Sequence, residues 1–200
     1  MSVYTIALFL HVTGAIGYCI GIASWLFTLI GLRRAQRVGQ VRTLVQLNEL
    51  SGPFSGICTL LLFASGLYMA LTAWSMQTGW ILVALISLVL MVPAVAIIIA
   101  PRRGAINRLS QELSEGAPLS EKLAQHTHDR FLATTLQTVA ALLLGLIFLM
   151  TNKPDVLTSL LVMAIALLLG LASSVLVRRT KRTANQAVPT GQSQGKELAN

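Results

Sequence analysis

Five apolar stretches, each about as long as a bilayer is thick, decide what this chain can fold into. They cover residues 4–31, 54–74, 79–100, 131–150 and 156–177. A hydrocarbon core about 30 Å thick needs about 20 residues of helix to cross it. Inside lipid, backbone N–H and C=O groups must find partners within their own segment, which makes a helix the form for such a run. Charged residues make up only 11% of the chain, less than half the roughly 25% typical of soluble domains. The sequence therefore predicts an all-α, polytopic transmembrane helix bundle with five spans over residues 1–182. Cytoplasmic loops are expected at 32–53 and 101–130, with a disordered cytoplasmic tail at 183–200.

The cations supply an orientation. "MSVYT" precedes the first run without a basic side chain, and Arg33 and Arg34 follow it. A secretory signal has the opposite order, so the first run is expected to be a retained span. Arg33, Arg34, Arg37 and Arg42 form one basic group. Arg102, Arg103, Arg108, Lys122 and Arg130 form a second, and Arg178, Arg179, Lys181, Arg182 and Lys196 a third. Five spans bring all three groups to one side and leave Lys153 on the other. Positive-inside bias then predicts the N-terminus out and the C-terminus in, as in a multi-pass protein of the cytoplasmic (inner) membrane. The net charge of +8 is thereby accounted for as an orientation signal that also meets anionic headgroups. No nucleic-acid recognition motif accompanies it, and no nucleic-acid partner is expected.

"SMQT" and "TNKPD" are short enough to make antiparallel hairpins on the outer side, with Trp74 and Trp80 bracketing the first at the aromatic belt. "VRTLVQLNEL" is expected to extend the second span as a helix kinked near Pro53. Ile106, Leu109 and Leu113 recur at helical spacing, turning inward while Glu112 and Glu115 face water. "EGAP" breaks that helix, and a second piece from Ser120 is expected to run into the fourth span. Gly17 with Gly21, and Gly52 with Gly56, form small-xxx-small pairs suited to close helix packing. Cys19 and Cys58 are read as free, separated in depth by several Å.

His11 is the unusual residue of the first span. It shares a face with Gly14, Ala15, Tyr18, Ile22 and Trp25 at 100° per residue, and that face is expected to look into the bundle. An intramembrane imidazole either ligates a haem or metal and relays protons, or hydrogen-bonds a neighbouring helix. Both readings stand at this point. Met69, Met76 and Met150 lie nearest its depth as further haem-ligand candidates. His126 and His128 in "HTHDR" are two residues apart and on a helix do not share a face, so no metal site is assigned. Glu49 is expected to serve a proton path or to pair with Arg42. Gln137 is expected to hydrogen-bond across helices. No Walker A, HExxH, GxSxG or CxxC motif is present. No catalytic residue is assigned, and enzymatic activity is left open.

The stretches "LHVTGAIGYCIGIASWLF", "LNELSGPFSGICTLLLFASGLYMAL", "GWILVALISL" and "FLMTNKP" resemble the copper-resistance D-like superfamily of small membrane proteins. Within it they are most similar to a predicted integral membrane protein family of unknown function. More distantly they resemble the membrane protoporphyrinogen oxidase family, which binds haem b. The resemblance covers about residues 4–155. It implies that His11 matches a haem-ligating histidine, that Ser51–Gly52–Pro53 matches a proline region, and that Lys153–Pro154 matches a closing pair. The lysine that the oxidase pattern expects after the third-span tryptophan is absent, since Trp80 is followed by Ile81, Leu82, Val83 and Ala84. The functional expectation is a non-enzymatic membrane component or permease-like partner subunit, contacting a membrane protein partner or its own copies. The alternatives are a haem-b redox protein ligated by His11, and a small-solute or metal-ion transporter.

Overall fold

The computed structural model describes residues 2–74 and 78–186, with side chains described as far as Ser173. Seven α-helices and one π-helical turn follow in order: α1 (Val3–Leu32), α2 (Val38–Thr72), α3 (Gly79–Ala94), the π turn (Val95–Ile99), α4 (Ala100–Gln111), α5 (Glu121–Thr127), α6 (Arg130–Asn152) and α7 (Val156–Gln186). Among the described residues, five segments are long and apolar enough to cross a membrane. They are α1, α2, α3 continuing into α4, α5 with α6, and the first part of α7. Large apolar side chains point outward along them, among them Phe9, Phe27, Leu60, Leu90 and Leu168, as expected where lipid is the solvent.

The helices begin where a side chain takes the first free N–H groups. Ser2 Oγ accepts from the Thr5 amide, Asp129 Oδ1 from those of Phe131 and Leu132, and Asp155 Oδ2 from that of Leu157. The Thr158 hydroxyl, together with its amide, holds the Asp155 carboxyl below the ordinary carboxylate range.

Helices α1 and α2 form an antiparallel pair along their full length. Gly31 lies against Leu44, Gly21 against Ser55, Gly17 against Cys58, and Gly14 against Cys58 and Leu62. A β-carbon on Gly14 would sit 2.7 Å from the Leu62 amide nitrogen and 2.8 Å from the Cys58 carbonyl oxygen. The backbones therefore touch, and dispersion replaces the hydrophobic drive that lipid cannot supply. Glycine has this role on α1 but not on the facing stretch of α2. Gly56 has open space around it, and the nearest atoms to Gly52 belong to Arg103. The small-residue pair expected at 52 and 56 is thus absent, because that face of α2 points away from α1. Helices α6 and α7 make a second close pair, with Gly170 against Thr138 and Gly145 against Ala166 and Met163.

Three boundaries differ from the sequence expectation. The third span does not end at Ala100. Pro93 and Pro101 each lack an N–H, yet the π turn between them carries the chain on as helix to Gln111. It continues because Ile106 remains buried against α2, so helix outlasts the apolar run. The piece from Ser120 stops at Thr127, and Asp129 caps a new helix. Helix α7 reaches Gln186, inside the stretch expected as tail, while 187–200 lie outside the described residues. Cys58 packs against Gly14 and Gly17 of α1, and both thiols are free.

The arginine-rich end carries its own apolar core. Leu32, Val38, Val41, Val45, Ile106, Leu123 and Leu132 are fully enclosed there, with Leu109 and Leu113 packed on the rim and Glu112 exposed. The segments at 32–53 and 101–130 are therefore mostly helical and form a cap over one end of the bundle. A second core, around Tyr18, Leu62, Met91, Val139 and Leu149, fills the middle.

Candidate functional site

His11 lies in the α1–α2 seam. Its ring rests where Gly66 has no side chain: a β-carbon there would come within 2.8 Å of Cε1 and 3.0 Å of Nδ1. Nδ1 is 3.1 Å from the carbonyl oxygen of Leu62. A carbonyl only accepts, so Nδ1 carries the proton and donates it, and the lone pair of the neutral ring is on Nε2. That nitrogen is 4.0 Å from the same β-carbon position, farther from Gly66 than Nδ1 is. Such a histidine is oriented as metal-ligating histidines are, with one nitrogen anchored and the other open.

Tyr18, two turns along the same face, is only 4% exposed. It packs among Ile22, Leu62, Val83, Ala84, Met91 and Val139, and among the described residues its hydroxyl has no hydrogen-bond partner. His11 and Tyr18 thus share α1 but look at different neighbours, the first at α2 and the second into the central core. Glu49 and Gln137 do not join them. Glu49 accepts from Asn107 Nδ2 at 2.6 Å, and Arg42 bonds Glu115 instead, at 2.8 Å. The expected Arg42–Glu49 pair does not form because α4 and the loop after it lie beside the α2 extension and offer each a closer partner, Asn107 of α4 to Glu49 and Glu115 of the loop to Arg42. Gln137 accepts from the Ser173 hydroxyl at 3.1 Å, tying α6 to α7.

The sequence reading passed over Asn48, the most enclosed polar side chain of α2. Its amide donates to Thr28 Oγ1 at 2.7 Å and Ser24 Oγ at 3.4 Å. Ser51 Oγ donates to the Asn48 carbonyl at 2.7 Å. Ser24 and Thr28 are one turn apart, so a small-polar pair facing an amide was the available signal. This cluster ties the α1–α2 seam between Gly21 and Gly31.

The haem candidates divide in the same way. Met69 is buried, Met150 is exposed near the end of α6, and Met76 lies outside the described residues. At His11 the two helices are in contact, with Nδ1 engaged by the Leu62 carbonyl. Among the described residues no three of His, Cys, Asp and Glu converge on one point. An open crevice of about 430 Å³ lies at the other end of the hairpin, lined by Gly31, Arg34, Ala35, Gln40, Thr43 and Leu44. On the opposite side Trp74 and Trp80 meet edge to face with centroids 5.5 Å apart. Lys153, left-handed at φ 49°, lays its ammonium 4.7 Å over Trp74.

No curated protein and no solved structure matches this chain. The family model described as "Predicted integral membrane protein (DUF2269)" matches residues 5–154, which take in the first four spans with the cap and the α1–α2 seam, and the chain belongs to that family.

Proposed function

We propose that the chain is a non-enzymatic, multi-pass component of the cytoplasmic membrane, a permease-like partner subunit that works beside another integral membrane protein. The observation that carries this reading is where its polar side chains are engaged. His11 bonds Leu62, Glu49 bonds Asn107, Gln137 bonds Ser173, and Asn48 bonds Thr28. These groups hold helices together and do not converge on a place for a substrate. Gly56, with open space around it on the lipid side of α2, marks a face along which another helix can approach.

A photo-reactive residue at position 56, activated in native membranes, tests this. The expected product is a cross-link to a second integral membrane protein. A chain that stays uncross-linked and conducts a solute in liposomes would place it instead among small-solute or metal-ion transporters.

A second reading follows from the orientation of His11 and from the resemblance to haem-b membrane proteins. Nε2 of His11 would be the ligand, and the haem would supply one-electron chemistry. Purified protein from haem-replete cells is expected to be colourless under the leading reading. An intense Soret band that disappears in His11→Ala, with the fold retained, would establish the haem reading in its place.

The orientation is proposed as N-out and C-in, on the strength of cations that gather at one side apart from Lys153. Reporter fusions at Gln77 and Asn200 are expected to fall on opposite sides, the first outside. The same side for both would overturn the arrangement.

A further inference from the structure

Trp25, Gly52 and Arg103 come from α1, α2 and α4 and meet at one level of the bundle. The Arg103 guanidinium carbon lies 4.9 Å over the Trp25 ring. Its two terminal nitrogens lie 3.6 and 3.8 Å from where a β-carbon on Gly52 would be. This level is the edge of the hydrocarbon. Counting from Tyr4 near the far end of α1, Trp25 lies roughly 31 Å along the helix at 1.5 Å per residue, about one core thickness. Interfacial tryptophan is expected at that depth.

Arg102 and Arg103 are adjacent and differ in what they meet. Arg102 donates to Asp129 at 3.0 Å and to the Ile98 carbonyl at 2.9 Å, and covers the Phe131 ring at 4.6 Å. Arg103 has the Trp25 face and, among the described residues, no acceptor for its N–H groups. The acid closest along α2, Glu49, is engaged by Asn107. The guanidinium is therefore held over the Trp25 ring, charged and, among the described residues, unpaired.

We propose that this notch binds the headgroup phosphate of an anionic membrane phospholipid, of the phosphatidylglycerol class. A guanidinium presents two parallel N–H donors that match phosphate oxygens, and stacking on Trp25 fixes their direction before the lipid arrives. The missing side chain at Gly52 lets the guanidinium lie against α2, which holds it in place between α2 and Trp25. Arg33 and Arg102 belong to the same arginine-rich end and disfavour the cationic headgroup of a zwitterionic lipid.

Native mass spectrometry of the full chain, released from micelles holding equal amounts of phosphatidylglycerol and phosphatidylcholine, tests this. Wild type is expected to retain phosphatidylglycerol selectively. Arg103→Gln should reduce that retention about fivefold, the equivalent of about 1 kcal/mol for one interfacial cation, while Arg108→Gln keeps it. Phosphatidylglycerol should also raise the melting temperature of wild type and not that of Arg103→Gln, which separates lost binding from lost packing. If Arg103→Gln does not fold, Arg103→Lys keeps the charge without the fork and should show intermediate retention. Equal retention of both lipids by wild type, or full selectivity in the folded variant, would overturn the proposal. Displacement of the lipid by millimolar inorganic phosphate would also overturn it, by making the notch a site for the free anion.

Discussion

Gly14→Val is expected to separate α1 from α2 and to lower stability by about 3 kcal/mol, the upper range for overpacking a filled site. The magnitude follows from what a β-carbon would meet. At 2.7 Å from the Leu62 nitrogen and 2.8 Å from the Cys58 carbonyl oxygen, the obstacle is backbone in the middle of a helix. It cannot rotate aside, so relief requires the helices to move apart. Movement there also removes the Leu62 carbonyl from His11 and leaves the imidazole without its acceptor. The matched control is Gly56→Val on the other face of α2, where nothing lies within 4 Å. It should fold with wild-type stability, and slightly better helix propensity. Thermal unfolding of both variants in one detergent makes the comparison. A Gly14→Val protein as stable as Gly56→Val would mean that the seam is looser than the close approach implies.

This contrast shows what the sequence made legible and what it did not. Hydropathy reads transfer into lipid, and the five spans follow from it, though the ends of their helices do not. Period reads which face of a helix turns inward, and it put His11, Gly14, Tyr18 and Ile22 together on α1, where Gly14, Tyr18 and Ile22 are buried. Neither reads which helix that face meets. Gly17–Gly21 and Gly52–Gly56 have the same spacing, yet only the first lies in a seam. Arg42 and Glu49 looked like partners because both belong to one helix. Their actual partners, Glu115 and Asn107, are more than fifty residues away in the chain. Hydropathy falls at Pro101, yet the helix runs on to Gln111, where Ile106 keeps its burial. For the candidate site, the residue types were visible and the hydrogen-bond partners were not. The anchor of His11 is a backbone carbonyl, and its neighbour is a glycine with no side chain to notice.

The cap supplies the other large effect, at Arg42→Met. Two helix ends meet at this residue, and each satisfies what the other lacks. The first amides of α2 have no intrahelical acceptor, and the loop after α4 provides one: Val38 donates to the Ala117 carbonyl at 3.1 Å and Gly39 to the Glu115 carbonyl at 2.9 Å. The last carbonyls of α4 are short of donors for the same reason. Arg42 Nη2 reaches Ser110 and Leu113 oxygens, both at 2.9 Å, placing a cation at the negative end of the helix dipole. Arg42 is 17% exposed and Glu115 71% exposed, so their ion pair is largely screened and contributes under about 1 kcal/mol. The carbonyl bonds are the stronger part, at about 1.5 kcal/mol or more each for a charged donor. Arg42→Met keeps the apolar stem and should cost about 3 kcal/mol, whereas Glu115→Gln should cost less than 1 kcal/mol. The loss should be local to the cap. Hydrogen exchange at the Val38 and Gly39 amides should accelerate in Arg42→Met while amides in the α1–α2 seam stay protected. Unchanged exchange at those two amides would show that the apolar core around Ile106 and Leu123 holds the cap closed without Arg42.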